Sequence, residues 1–209
     1  KFKLRVNFRI ESIERNPIMA RIALTRDKIV QATIELAGKI GLSNVSFPRL
    51  AEYFGIKAPS LYNHFKNMEE VRVATAVYLQ KELNCELTHA MVGLTPLAAL
   101  RAYAESYKRF AEKYEAVYEL INVIHQTNNG ELEYLAKENI RLVRRSLENF
   151  HLSEEENFHI SRMFRSTLHG FITLTQLGYF RQSGSISKEE SFTYMVDHLL
   201  SRLDNPENI

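Results

Sequence analysis

Two prolines and one glycine divide residues 46–65 into runs that can fold only as a pair of abbreviated helices. In the first, Ser46 precedes Phe47-Pro48-Arg49-Leu50-Ala51-Glu52-Tyr53-Phe54, with proline in the first turn, where its missing N–H costs nothing, and Gly55 at the exit. The second, Ala58-Pro59-Ser60-Leu61-Tyr62-Asn63-His64-Phe65, repeats the early proline. Two short helices joined by a tight turn make a helix-turn-helix. Ala51 is small enough for a close crossing, Gly55 supplies a left-handed turn conformation, and Ile56, Leu61 and Phe65 have Leu50, Val45 and the preceding helix to pack against. Lys57, Ser60, Tyr62, Asn63 and His64 are then left projecting outward. Hydrogen-bonding side chains for base edges, and hydroxyls and cations for phosphates, are what a groove-reading helix requires.

The flanking segments are helical as well. Thr25 is placed to cap a helix whose apolar stripe runs through Ile29, Ala32, Ile34, Leu36, Ala37 and Ile40, with Gly41 to end it. Asn67-Met68-Glu69-Glu70 has capping-box spacing for a long helix to about Leu87. Beyond it, Thr95-Pro96 opens a helix to about Tyr114, an apolar run covers Val117 to His125, and Asn128-Asn129-Gly130 interrupts. A helix over Glu131–Phe150 follows. Capping boxes at Ser153–Glu156 and Ser187–Glu190 start the last two, which run to near Phe180 and Leu203. The expected fold class is all-α: an N-terminal three-helix module joined through a long fourth helix to a second helical domain.

Only residues 1–10 alternate like a strand, with Phe2, Leu4, Val6, Phe8 and Ile10 opposite Lys1, Lys3, Arg5, Asn7 and Arg9. With no partner strand, and with Met19 the first methionine before a helical pattern, residues 1–18 read as a non-native or upstream extension; a basic arm touching nucleic acid is the alternative. Residues 19–67 then form the helix-turn-helix domain and residues 68–209 the second domain.

Net charge is +2, but it is unevenly spread. Residues 19–66 carry seven Lys/Arg against three Asp/Glu, and residues 67–209 carry fifteen against twenty. A basic module that meets a polyanion, attached to an acidic body, fits this division. The single cysteine, Cys85, cannot form an internal disulfide, and no Cys/His spacing suits zinc, so no metal or cofactor is expected and a reducing cytoplasmic setting is. No apolar stretch reaches the roughly 18 residues of a membrane span.

The landmarks Leu50-Ala51, Gly55-Ile56, Ser60-Leu61-Tyr62 and His64-Phe65 within Ser46–Val71, preceded by the Thr25–Gly41 helix, resemble the TetR family of bacterial repressors over roughly a quarter of the chain. The resemblance implies binding to a double-stranded DNA operator. Residue by residue, it implies phosphate or base contacts for Ser46 and Arg49, base contacts for Lys57, Ala58, Pro59, Ser60 and Asn63, and phosphate clamps for Tyr62, His64 and Lys66. Met68 stands where the family often has Lys, which shifts the anchoring to Lys66 and the start of the Asn67 helix. The segment Phe164–Phe180, with Leu168-His169-Gly170-Phe171 at its centre, resembles a subset of the family in which Trp often occupies the place of Phe164.

The same resemblance implies that residues 68–209 bind a small-molecule inducer and dimerise. Aromatic and polar residues on otherwise apolar helices are the ligand-binding candidates: Tyr103, Tyr107, Phe110, Tyr118, Asn122, His125, Phe164, Thr167, Leu168, His169 and Phe171. His169 leads, because an imidazole in an apolar segment needs a partner. The mix suggests a moderately hydrophobic ligand, aromatic or cationic. Gly170 and Gly178 permit close approach, and Phe192, Met195, Val196, Leu199, Leu200 and Leu203 stripe the last helix, so these two C-terminal helices are expected to form a four-helix homodimer interface. Catalysis by His125, His151, His159 or His169 lacks any nucleophile–base motif. A constitutive DNA-binding protein without inducer is the alternative.

Overall fold

The computed structural model describes residues 23–122, 127–181 and 185–204. The expectations for residues 1–18, for His125 and for the polar tail beyond 204 fall outside them. Among the described residues the regular structure is helical throughout: α1 (Arg26–Ile40), α2 (Phe47–Phe54), α3 (Pro59–Tyr62), α4 (Met68–Met91), α5 (Pro96–Lys113), α6 (Gly130–Leu147), α7 (Glu154–Gln176) and α8 (Lys188–Asp204). The chain forms two compact units that part between Val71 and Arg72, inside α4.

The first unit is built on α1, which packs on α2, and on α2, which packs on α3. Thr25 Oγ1 accepts the Lys28 N–H at 3.3 Å and caps α1. Ile29, Leu36, Leu50, Phe54, Leu61 and Phe65 fill the core. Tyr53 links α2 to α1 by donating to the Glu35 carboxylate at 2.5 Å; desolvation, then that carboxylate, pushes its phenol up to about 12.

α2 closes on Gly55 with φ +65° and ψ +30°. The Gly55 N–H reaches the Glu52 carbonyl at 3.1 Å and the Ile56 N–H reaches the Ala51 carbonyl at 3.0 Å, the paired closure of a Schellman motif. The following helix is shorter than its sequence suggests: four residues of α-helix, flanked by tight turns at Lys57–Ser60 and Leu61–His64. Its hold on the unit comes from buried Leu61 and Phe65 rather than from its own length.

In the second unit α5 packs against α6, α7 and α8, α6 against α7, and α7 against α8. The capping boxes of α7 and α8 form as their spacing implies, with Ser153 and Glu156, and Ser187 and Glu190, exchanging hydrogen bonds. Asn129 does more than interrupt: its Oδ1 accepts the Leu132 N–H at 2.9 Å and caps α6, which begins at Gly130. The apolar run after Tyr114 winds as a 3₁₀ helix over Glu115–Asn122, with Val117, Tyr118, Leu120 and Ile121 buried.

On α8 the expected interface stripe divides. Phe192, Val196, Leu200 and Leu203 are buried in the core of this unit, whereas Met195 and Leu199 are half-exposed. Periodicity identifies an apolar face but not which molecule covers it. Leu174, Leu177, Tyr179 and Tyr194 are exposed instead.

Candidate nucleic-acid interface and ligand cavity

Burial of Leu61 and Phe65 fixes the rotation of the turn-rich segment 57–66 and decides which side chains remain outside. Lys57, Pro59, Tyr62, Asn63 and Lys66 are exposed, and Ala58, Ser60 and His64 are half-exposed. Tyr62, 58 % exposed, stands edge-on to Phe47 with ring centroids 4.7 Å apart at 87°, so its ring is positioned while its hydroxyl is free of protein partners among the described residues. Ser46 precedes α2 without using its hydroxyl as a cap, and Arg49 is engaged by Glu52 at 3.2 Å.

Two features here were not apparent from the sequence. Arg26, the first residue of α1, donates to the His64 carbonyl and lies with its guanidinium 3.9 Å from the centroid of the Phe65 ring, fastening the end of the reading segment to the first helix. Glu70 reaches back to accept the Lys66 N–H at 2.9 Å, with Lys66 Nζ 4.0 Å from its other oxygen, while Asn67 Oδ1 accepts the Glu70 N–H at 2.9 Å. The Asn67 half of the expected box thus forms, while the Glu70 half closes one residue earlier, on Lys66. A carboxylate therefore sits beside the cation for which the family resemblance implies a phosphate contact.

The second unit holds a cavity of about 250 Å³, small for a ligand site. Of the sequence candidates, Tyr103, Tyr107, Asn122, Leu168 and His169 line it. Tyr118 does not line it but contacts two residues that do, its hydroxyl 3.3 Å from that of Tyr107 and 3.1 Å from His169 Nδ1, and Thr173 Oγ1 is 3.4 Å from Nε2. Desolvation, then Arg165, holds His169 below its ordinary value, so the neutral imidazole is favoured. Desolvation likewise raises the phenols of Tyr107 and Tyr118, which stay protonated donors.

Tyr103 has a different role at the wall. Its hydroxyl donates to Asn139 Oδ1 at 2.7 Å, and Asn139 Nδ2 donates to Asn84, so the polar end is spent inside the core. Phe164 tilts against its ring at 5.9 Å and Phe110 packs against Tyr114; both are buried, and neither lines this cavity. Thr167 does not line it either. Phe171, two residues from His169, faces the opposite side of α7 and meets Phe180 and Phe192 beside a second cavity of about 330 Å³.

Gln80, Arg162 and Arg165 also line the first cavity and were not among the sequence candidates. The signal was present on α7, where 162, 165 and 169 recur at the spacing of one helical face. Among the described residues no carboxylate lines the cavity, so the expectation of a cationic ligand finds no counter-charge there.

Residues 29–75 match the family described as bacterial regulatory proteins of the TetR family, and residues 100–199 match the tetracyclin repressor-like C-terminal domain. The uncharacterized HTH-type transcriptional regulator YobS of Bacillus subtilis is 30 % identical over 190 residues, which is 90 % of this chain and 98 % of that protein. Among solved structures, a Rhodococcus protein of unknown function superposes with a TM-score of 0.74 at 17 % identity, covering 87 % of this chain and 96 % of its own. BioQ, solved with its double-stranded DNA operator, superposes with a TM-score of 0.63 at 15 % identity over 87 % of this chain and 98 % of its own.

Proposed function

The chain belongs to the TetR family of DNA-binding transcriptional regulators, which are not enzymes, and we propose that it acts as a homodimeric repressor released from a pseudopalindromic operator by a small molecule. The observation that carries this reading is the sorting of side chains along 57–66: Leu61 and Phe65 are buried, and Lys57, Tyr62, Asn63 and Lys66 are exposed. A two-fold dimer sets two such segments in successive major grooves and accounts for a palindromic site. Exposed Leu174, Leu177, Tyr179 and Tyr194, in and around α7 and α8, supply apolar surface for the second copy.

In this reading Lys57, Ser60 and Asn63 meet base edges, Tyr62, His64 and Lys66 hold backbone phosphates, and Ser46 and Arg49 add contacts from the start of α2. Arg49 must leave Glu52 to do so. The inducer enters the cavity beside Tyr107 and His169 and acts by binding more tightly to a conformation that does not fit the operator; equal affinity for both conformations would move nothing.

The test is selection of bound DNA from a random pool, followed by a screen for small molecules that release the selected site. Recovery of an inverted repeat and at least one releasing compound is expected. Recovery of no palindromic site overturns the operator reading, and a site that no compound releases favours constitutive binding.

A further inference from the structure

The first cavity is chemically one-sided. Two guanidinium groups, Arg162 and Arg165, line it from α7, and among the described residues no Asp or Glu does. Neither arginine has an ion-pair partner among the described residues; Arg162 is exposed, and its guanidinium lies 5.5 Å from the Phe158 ring centroid. A cation held beside a partly desolvated pocket without a counter-charge is a recognition element for an anion rather than a structural pair.

The second observation is independent of charge. Gln80 is 4 % exposed, lines the same cavity, and its Oε1 has no hydrogen-bond partner among the described residues. A buried acceptor left unmade costs on the order of 1–3 kcal/mol, and a donor that reaches Oε1 from the cavity side recovers that penalty. The chain Thr173–His169–Tyr118–Tyr107 adds to this. Its hydrogens can run in either direction, but with an acceptor in the cavity one order satisfies every member: Thr173 donates to Nε2, Nδ1–H to Tyr118, Tyr118 to Tyr107, and Tyr107 to the ligand. Leu83, Ile121 and Leu168 supply apolar wall.

We infer that this cavity takes a small organic acid, its carboxylate set against Arg165 and Arg162 and within reach of the Tyr107 hydroxyl, with an N–H or O–H on its apolar body directed at Gln80 Oε1. The inference rests on the reading of this cavity as the inducer site and names the class of inducer. A guanidinium can hold a carboxylate through two parallel hydrogen bonds, which a lysine replaces only in charge.

The experiment screens the full chain against a fragment collection containing equal numbers of carboxylic acids, neutral amides and amines of matched size, with binding read by thermal shift and calorimetry. Acids are expected to dominate the hits. Their affinity falls about tenfold or more in Arg165→Gln and less in Arg165→Lys, and Gln80→Leu weakens about three- to tenfold only those acids that carry a donor. Unchanged circular dichroism separates these losses from misfolding, and Arg162→Gln provides a second charge test should Arg165→Gln not fold. Amines or neutral amides binding as often and as tightly as acids, or acid affinity unaltered in both arginine variants, overturns the inference. If acids bind here but do not release the selected operator, the induction reading falls while the site stands; if nothing of any charge binds, both fall.

Discussion

The Glu70 carboxylate accepts the main-chain N–H of Lys66 at 2.9 Å and lies 4.0 Å from the same residue's ammonium group. One acid thereby orders the entry to α4 and opposes the negative charge of a phosphate approaching Lys66. Glu70→Gln keeps an acceptor for the N–H and removes the charge, so operator affinity is expected to rise a few-fold at low salt. Glu70→Ala loses the box as well and costs about 1 kcal/mol of stability. Fluorescence anisotropy on the selected site, paired with urea denaturation, separates the two effects; equal behaviour of both variants would contradict the assignment.

Gly55 sits at φ +65° with nothing within 4 Å of where a Cβ would stand. The penalty for a side chain there is therefore conformational and not steric crowding. Gly55→Ala should destabilise by about 1–2 kcal/mol and Gly55→Asn by less, since asparagine tolerates the left-handed region. In a chain of this size, thermal denaturation should read about 2–4 °C per kcal/mol. An alanine variant as stable as the parent would refute the motif.

The edge contact between Tyr62 and Phe47 separates the ring's role from that of the hydroxyl. Tyr62→Phe should weaken operator binding while leaving stability and the salt slope untouched, whereas Tyr62→Ala lowers stability as well. Lys66→Ala should weaken binding and reduce the salt slope by about one. Titration of affinity against salt concentration distinguishes a lost hydrogen bond from a lost charge.

His169 is held below its ordinary value, chiefly by desolvation and then by Arg165, while Tyr118 and Thr173 occupy its nitrogens. The unfolded chain binds this proton more readily than the folded one, so stability is lost as pH falls through the unfolded value of about 6.5 toward the lowered folded one, and no penalty remains above it. His169→Asn should flatten that part of the curve. Urea midpoints of parent and variant between pH 5 and pH 8 give the difference, to which the other titrating groups contribute equally; parallel curves would rule out a depressed imidazole.

Tyr103→Phe removes a 2.7 Å hydrogen bond and leaves Asn139 Oδ1 short of a donor in a buried setting. A loss of about 1–3 kcal/mol is expected, with ligand affinity little changed because the hydroxyl points into the core network. Denaturation and calorimetry on the same preparation test both halves.

What the sequence made legible was largely local. Thr25, Gly55, Ser153 and Ser187 declare helix ends because each offers one backbone solution, and each sits where that solution is used. The tertiary assignments were harder. Phe171 read as a companion of His169 although two positions on a helix face nearly opposite ways, and four of the six stripe residues of α8 turned inward to their own core. Gln80 gave no warning, since an amide in a helical run reads as solvated until its burial is known. Arg162 and Arg165 were not singled out because the apolar neighbours that define a cavity come from α4, α5 and the 3₁₀ helix, tens of residues away.

The clamp that Arg26 places on the His64 carbonyl and the Phe65 ring bears on how such a reader diversifies. Because the end of segment 57–66 is fastened by a residue some forty positions upstream, Lys57, Ser60 and Asn63 carry little of the folding burden. They form an exchangeable cassette on a fixed mount, where substitutions can change the preferred site without endangering the scaffold. Randomised libraries for altered recognition therefore belong at those three positions, with Arg26, Gly55, Leu61 and Phe65 held constant.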